Sequence, residues 1–175
     1  MLIEVCADVD ASLEQELVAL VARALPQAHL QGRWYWDSRP DVVVVARAVL
    51  GGAVIGFRMV VWRDLDVGGQ PYAIAGTGVA VDPVWQRQGI ATALTTKVLA
   101  LADGCAAVVV FLGTDEARSL LERFGFVPLL VPVVSLDARG SEVKETAPCL
   151  VKELQPGFVD AVVATGSLCL GRGTW

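Results

Sequence analysis

The sequence predicts an α/β chain of the α+β kind: a single domain on a mixed, mostly antiparallel central sheet of about seven strands, with helices on both faces. Three observations carry this expectation. Residues 41–81 alternate β-rich runs with paired glycines, which is the pattern of consecutive hairpins. After Val81 the period changes, and helical stripes alternate with short apolar strands as in a strand–helix–strand crossover. The chain of 175 residues is 54% hydrophobic, with a mean hydropathy of +0.55, yet its longest apolar runs (42–45, 106–112 and 127–134) are only strand-length. Such an excess fits strands covered on both faces, or a subunit interface and hence a homodimer.

The elements follow in order. Residues 2–7 form a short strand. Ser12, with Gln15 three positions on, has the pattern of a capping box, and Leu13, Leu17, Leu20, Val21 and Ala24 give the inner stripe of a helix that Pro26 stops. Residues 27–40 are irregular and aromatic. Strands over 41–50 and 53–63 meet at Gly51-Gly52, and Gly68-Gly69 turns the chain into a third strand over 70–81. Gly76 and Gly78 within that strand imply a bulge or a close approach by a ligand or another backbone. A helix from about Gly89 to Leu101 buries Ile90, Ala93, Leu94 and Val98; Asp103-Gly104 ends it, and 106–112 is a buried-type strand. Thr114 caps a further helix that Gly125 ends, with Asp115 and Glu116 in its first turn. Residues 126–136 and 147–154 read as strands, and 155–175 carry no assignment. No repeat or linker divides residues 1–175 into domains.

The composition excludes several function classes. A net charge of −5 without a basic run argues against nucleic acid, and no apolar run reaches the roughly 18 residues of a membrane span. Cys6, Cys105, Cys149 and Cys169 stand apart, without CxxC spacing or a histidine pair, so no metal motif is present. Free thiols and the absence of a signal-peptide pattern at the N-terminus predict a cytoplasmic protein. Mild acidity is compatible with a small cationic amine as partner.

The chemistry gathers between Val79 and Leu94. A strand ends at Asp82-Pro83, a Gln/Gly-rich loop follows, and a helix opens directly from it. Such a helix aims unpaired backbone N–H groups and the positive end of its dipole at one point, an anion site suited to a pyrophosphate. Gly89 and Ala91 leave no bulk there, while Gln86, Arg87 and Gln88 offer side-chain donors. The pattern Gln86-x-x-Gly89-x-Ala91, the strand Val79-Ala80-Val81-x-Pro83 before it and the segment from Arg118 to Gly125-Phe126 after it resemble the GCN5-related N-acetyltransferase (GNAT) superfamily over about residues 2–154. Within it, the spacing and the final Gly-Arg-Gly-Thr-Trp are most similar to aminoglycoside 2′-N-acetyltransferases.

The resemblance implies a splayed strand pair forming an acyl-CoA cleft, with acetyl-CoA as cofactor. Val79, Ala80 and Val81 would pair with the pantetheine arm. The N–H groups of Gln88, Gly89, Ile90, Ala91 and Thr92 would hold the pyrophosphate, with Arg87 as a phosphate cation. Val79 N–H would polarise the thioester carbonyl for direct attack by the amine of a small molecule. It also exposes departures. Leu121 stands where members carry an acid Tyr, Thr77 where the aminoglycoside enzymes carry a base Glu, and Gly173 where they carry an Asp. Tyr72 could replace the acid and His29, the sole histidine, the base; each could equally be a packing or surface residue. Trp34, Tyr35, Trp36, Asp37, Asp41, Thr77 and Trp175 are candidates for the acceptor side, and Cys149 for a thiol acid. Two alternatives stay open: a coenzyme A-binding regulatory or sensing module with impaired catalysis, and an N-acyltransferase using a longer acyl donor.

Overall fold

The computed structural model describes residues 1–7, 9–25, 42–113, 115–137 and 139–172. Strand β1 (Leu2–Cys6) leads into helix α1 (Ala11–Ala24), and a meander of β2 (Val42–Leu50), β3 (Ala53–Val67) and β4 (Gln70–Val81) follows. Then come α2 (Ile90–Ala102), β5 (Val108–Leu112), α3 (Asp115–Glu122), β6 (Val127–Pro128), β7 (Val133–Leu136), β8 (Glu142–Lys144), β9 (Cys149–Glu153), α4 (Phe158–Thr165) and β10 (Leu168–Arg172). Seven strands pair in the order β1-β2-β3-β4-β5-β9-β6, and β10-β7-β8 form a second, smaller sheet. Among the described residues, only the β4–β5 contact of the larger sheet is parallel. This is the mixed, mostly antiparallel sheet that the sequence predicts.

The hairpins form where the glycines stand. Gly51 and Gly52 have φ of 60° and 85°, and Gly68 and Gly69 have 64° and 84°. Two successive positive φ values match the twist of the flanking strands, and only glycine adopts them without strain. The resulting β3–β4 ladder runs unbroken from Gly56↔Val81 to Val67↔Gln70, so Gly76 and Gly78 introduce no bulge into it.

The pleat divides β4 between two layers. Ala75, Val79 and Val81 pack toward α2, with Val60, Leu94 and Val98. Tyr72 and Ile74 face the layer that Phe158 and Val162 of α4 complete, and Ala80 packs with Leu17 and Leu20 of α1. Helix α2 sits close to the sheet because Gly56 has no side chain: a Cβ there would lie 3.0 Å from Ile90 Cγ2 and 3.3 Å from the Ala80 carbonyl. Gly56→Val is therefore expected to push back the first turn of α2 and destabilise the protein by about 1–3 kcal/mol, measured by thermal unfolding.

Two local expectations are corrected, and two stretches without an assignment gain elements. Asp10, not Ser12, caps α1, its carboxylate accepting from Leu13 N–H at 2.8 Å. Residues 126–136 are not one strand but β6 and β7, in different sheets, because Pro128 and Pro132 cannot donate to a continuous ladder. Residues 155–172 hold α4 and β10, with Gly157 and Gly166 as left-handed caps at the two ends of α4. β8 is a strand that sequence periodicity does not reveal. No helix among the described residues is long and apolar enough to cross a membrane.

Candidate functional site

The site begins where two strands part. Parallel rungs join β4 to β5 from Ile74↔Val108 to Thr77↔Phe111 and end there. β4 continues to Val81 alongside β3 alone, and β5 continues to Leu112 alongside β9. The backbone between Thr77 and Val81 thus borders an open fork. Alternation shows which groups face it. Asp82 N–H donates to the Ile55 carbonyl on the β3 side at 2.9 Å, whereas the Ala73 carbonyl accepts from Ala107 on the β5 side at 2.7 Å. With a period of two, Gly78 and Ala80 turn their N–H groups to β3, and Val79 and Val81 turn theirs to the fork.

The loop after β4 brings the start of α2 to the mouth of this fork. Asp82 accepts from Val84 N–H at 3.1 Å and caps a 3-10 turn over Pro83–Trp85. Its carboxylate also accepts from Arg23 Nε of α1 at 2.9 Å, which offsets a negative charge near the start of α2. Arg87 adopts φ of 62° and Gly89 φ of 80°, a pair of left-handed residues that reverses the chain into the helix. The first bond of the helix runs from Ala93 N–H to the Gly89 carbonyl at 3.0 Å. The N–H groups of Ile90, Ala91 and Thr92 lie before it, where an α-helix offers no carbonyl. Gly89 makes no side-chain cap, and a Cβ there would have nothing within 4 Å. Among the described residues the helix therefore opens onto free space with its N–H groups forward, a cradle that fits a diphosphate.

The loop side chains divide differently from the expectation that Gln86, Arg87 and Gln88 all offer donors. Gln86 Nε2 bonds the Val81 carbonyl at 3.1 Å and Gln88 Nε2 reaches the Val84 carbonyl at 3.5 Å. Both amides brace the loop, and Arg87, exposed, is the cation left to face a ligand.

Beneath α2 lies a feature that sequence reasoning missed. Arg58 of β3 is fully buried. Its Nε donates to Thr77 Oγ1 at 2.9 Å and its Nη1 to Thr95 Oγ1 at 2.7 Å. Each hydroxyl passes its own proton on, Thr77 to the Met59 carbonyl at 2.7 Å and Thr95 to the Ala91 carbonyl at 2.7 Å. The guanidinium carbon lies 5.6 Å from the centre of the Phe111 ring, and Nη2 has no hydrogen-bond partner among the described residues. Burial alone pulls the group down to about 9, so it stays protonated at neutral pH. The signal was present: a lone arginine between Ile55-Gly56-Phe57 and Met59-Val60-Val61, in a strand covered on both faces.

The nominated residues divide as follows. Val79 borders the fork. Thr77 sits on its last rung, its hydroxyl fully engaged. Tyr72 lies on the opposite face of β4, its hydroxyl donating to the Gly157 carbonyl at 3.3 Å and its ring set edge-on to Phe158. The structure thus gives it a packing role, away from the fork. Cys149 is in the same apolar layer, and burial with the nearby Glu145 charge pushes its thiol up to about 12, neutral at physiological pH. Leu121 is wholly buried in the α2-side core, and Leu121→Phe should overpack it, lowering stability by about 1–3 kcal/mol in thermal unfolding. Glu122 pairs with Arg118 on the surface at 2.7 Å. His29, Trp34, Tyr35, Trp36, Asp37, Asp41, Thr114 and Trp175 lie outside the described residues, and so does Gly173.

The chain and its fold match known proteins. A family model described as Acetyltransferase (GNAT) family matches residues 12–126. Among solved structures, Escherichia coli ElaA superposes with a TM-score of 0.65 at 12% identity, over 86% of this chain and 98% of that one. The ribosomal-protein-S18-alanine N-acetyltransferase of Escherichia coli gives 0.59 at 15%, over 89% and 96%. A GNAT family acetyltransferase from Brucella melitensis, in complex with acetyl-CoA, gives 0.56 at 20%, over 89% and 90%. At these identities the likeness concerns the fold. No curated protein is significantly similar in sequence.

Proposed function

The chain belongs to the GNAT acetyltransferase family, and from that premise we propose that it transfers an acyl group from a coenzyme A thioester, acetyl-CoA in the simplest case, to the amine of a small molecule. The observation that carries this reading is the junction of two features: a strand end with Val79 and Val81 N–H groups turned outward, and a helix start with a bare, open cradle at Gly89. The first suits the amide-bearing pantetheine arm, which can bond the β4 edge as an added strand would. The second suits the diphosphate, with the N–H groups of Gly89, Ile90, Ala91 and Thr92 as donors and the exposed Arg87 as a countercharge.

The thioester supplies an activated carbonyl. Val79 N–H donates to its oxygen as that atom gains charge, and the amine nitrogen bonds to the carbonyl carbon while the carbon–sulfur bond breaks. The nitrogen gives up a proton and the departing sulfur takes one, so the step balances without an outside reagent. Among the described residues, neither Thr77, locked between Arg58 and Met59, nor the aliphatic Leu121 moves that proton, and positioning takes the larger share of the rate. The aminoglycoside resemblance is thereby reduced to the acceptor class, a small amine.

Titration calorimetry with acetyl-CoA, followed by thiol release over a panel of amines, tests the reading. Micromolar binding and turnover are expected. Binding without turnover on any amine would favour the alternative of a coenzyme A-binding module, and absence of binding would sink the cofactor assignment.

A further inference from the structure

Arg58 is the one buried side chain on the fork face whose charge the described residues leave uncompensated. Its Nη2 has no partner, and no carboxylate among the described residues pairs with the guanidinium. A buried cation in that state is costly, and an anion brought by a ligand would offset the cost. Its place narrows what that ligand is. The guanidinium is bonded to Thr77 and set over Phe111, the two residues of the last β4–β5 rung, so it stands at the closed end of the fork. Its bond to Thr95 puts it about 7.5 Å along α2 from Ile90, too deep for the diphosphate held at the helix start. What lies at that depth, on the reading proposed above, is the acyl group.

We propose that Arg58 selects a coenzyme A thioester whose acyl chain ends in a carboxylate, the thioester of a four-carbon dicarboxylic acid, with Nη2 as the donor to that carboxylate. Chain length follows from the spacing. Val79, which on that reading holds the thioester carbonyl, lies two residue steps along β4 from Thr77, a distance of about 6.6 Å. A charge-assisted hydrogen bond takes about 2.8 Å of it. The remainder, about 4 Å, is spanned by the roughly three carbon–carbon bonds between thioester carbon and carboxylate carbon in a succinyl chain. Access requires the Phe111 ring to turn. It lodges against Gly113, where any Cβ would run into it, and lies over the guanidinium as a cover that an entering acyl chain displaces.

This inference rests on the acyltransferase reading, and the experiment separates the two. Calorimetric dissociation constants for acetyl-CoA and succinyl-CoA would be measured on the wild-type protein and on Arg58→Met, with thermal unfolding run on both. The wild type is expected to bind succinyl-CoA about tenfold or more tightly than acetyl-CoA, and Arg58→Met to erase the difference. Equal affinities in the wild type overturn the proposal and leave acyl transfer standing. A succinyl preference that survives in Arg58→Met overturns the role of Arg58. Loss of binding for both thioesters in the wild type overturns the cofactor reading and this inference with it. Should Arg58→Met not fold, Thr77→Val and Thr95→Val, which release the guanidinium from its two braces, must each narrow the preference; an unchanged ratio in both sinks the assignment.

Discussion

Gly89→Val abolishes coenzyme A binding while the protein stays folded. The expected rise in dissociation constant is about 100-fold or more, because a β-branched side chain would stand where, on the proposed reading, the diphosphate meets the N–H groups of Ile90 to Thr92, and would deny it several charge-assisted bonds at once. The cost to the fold is smaller and has a different origin. Among the described residues nothing lies within 4 Å of the added Cβ, so none of them clashes with it. What remains is the strain of an L side chain at φ 80°, about 1–2 kcal/mol, a fall of a few degrees in Tm. Gly89→Ala keeps most of that strain with much less bulk, and should bind with intermediate affinity. Calorimetry beside thermal unfolding resolves the two effects. A valine variant that binds coenzyme A as the wild type does would remove the loop from the cofactor site.

The contrast between Gly89 and Arg58 shows what a sequence of this kind discloses. The hairpins, the crossover and the loop that opens into α2 were legible because each is enforced locally. Paired glycines fix turn chirality, a glycine before an apolar stripe fixes a helix start, and alternation fixes which face of a strand is buried. Local rules also explain the errors. Ser12 fits a capping box, yet Asp10 takes the cap because its carboxylate reaches Leu13 N–H from a residue still outside the helix. The run 126–136 is apolar enough for one strand, and only the positions of Pro128 and Pro132 reveal that it serves two sheets.

Arg58 belongs to another category. Its meaning depends on Thr77 nineteen residues away and Thr95 thirty-seven away, and on a rung that ends at Phe111. No local pattern encodes such a meeting. The departures at Thr77 and Leu121 become intelligible only beside it. Thr77 is a partner of a buried cation, and Leu121 fills a core, so neither position is a catalytic group lost without replacement. A guanidinium at the closed end of the fork also makes a poor neighbour for an ammonium ion. The acceptor amine is better delivered from the far side of the thioester, or in its neutral form.

Val79→Pro should separate catalysis from binding. Val79 N–H points into the fork and takes no part in the β3 ladder, so proline removes one donor without breaking a strand-to-strand bond. Ala80→Pro, one residue on, removes an N–H that turns to β3, and should destabilise the sheet instead. If Val79 N–H is what stabilises the thioester oxygen, Val79→Pro lowers kcat by about 10²–10³-fold, the usual effect of losing an oxyanion donor. Acetyl-CoA should still bind with little change, since the diphosphate contacts and Val81 N–H persist. The measurement is kcat by thiol release and Kd by calorimetry on the same preparation, with thermal unfolding of both proline variants. A folded Val79→Pro enzyme with undiminished kcat would mean that the oxygen is held elsewhere. An equally folded Ala80→Pro variant would show that the alternation of N–H groups along β4 runs the other way, and with it the assignment of Val79.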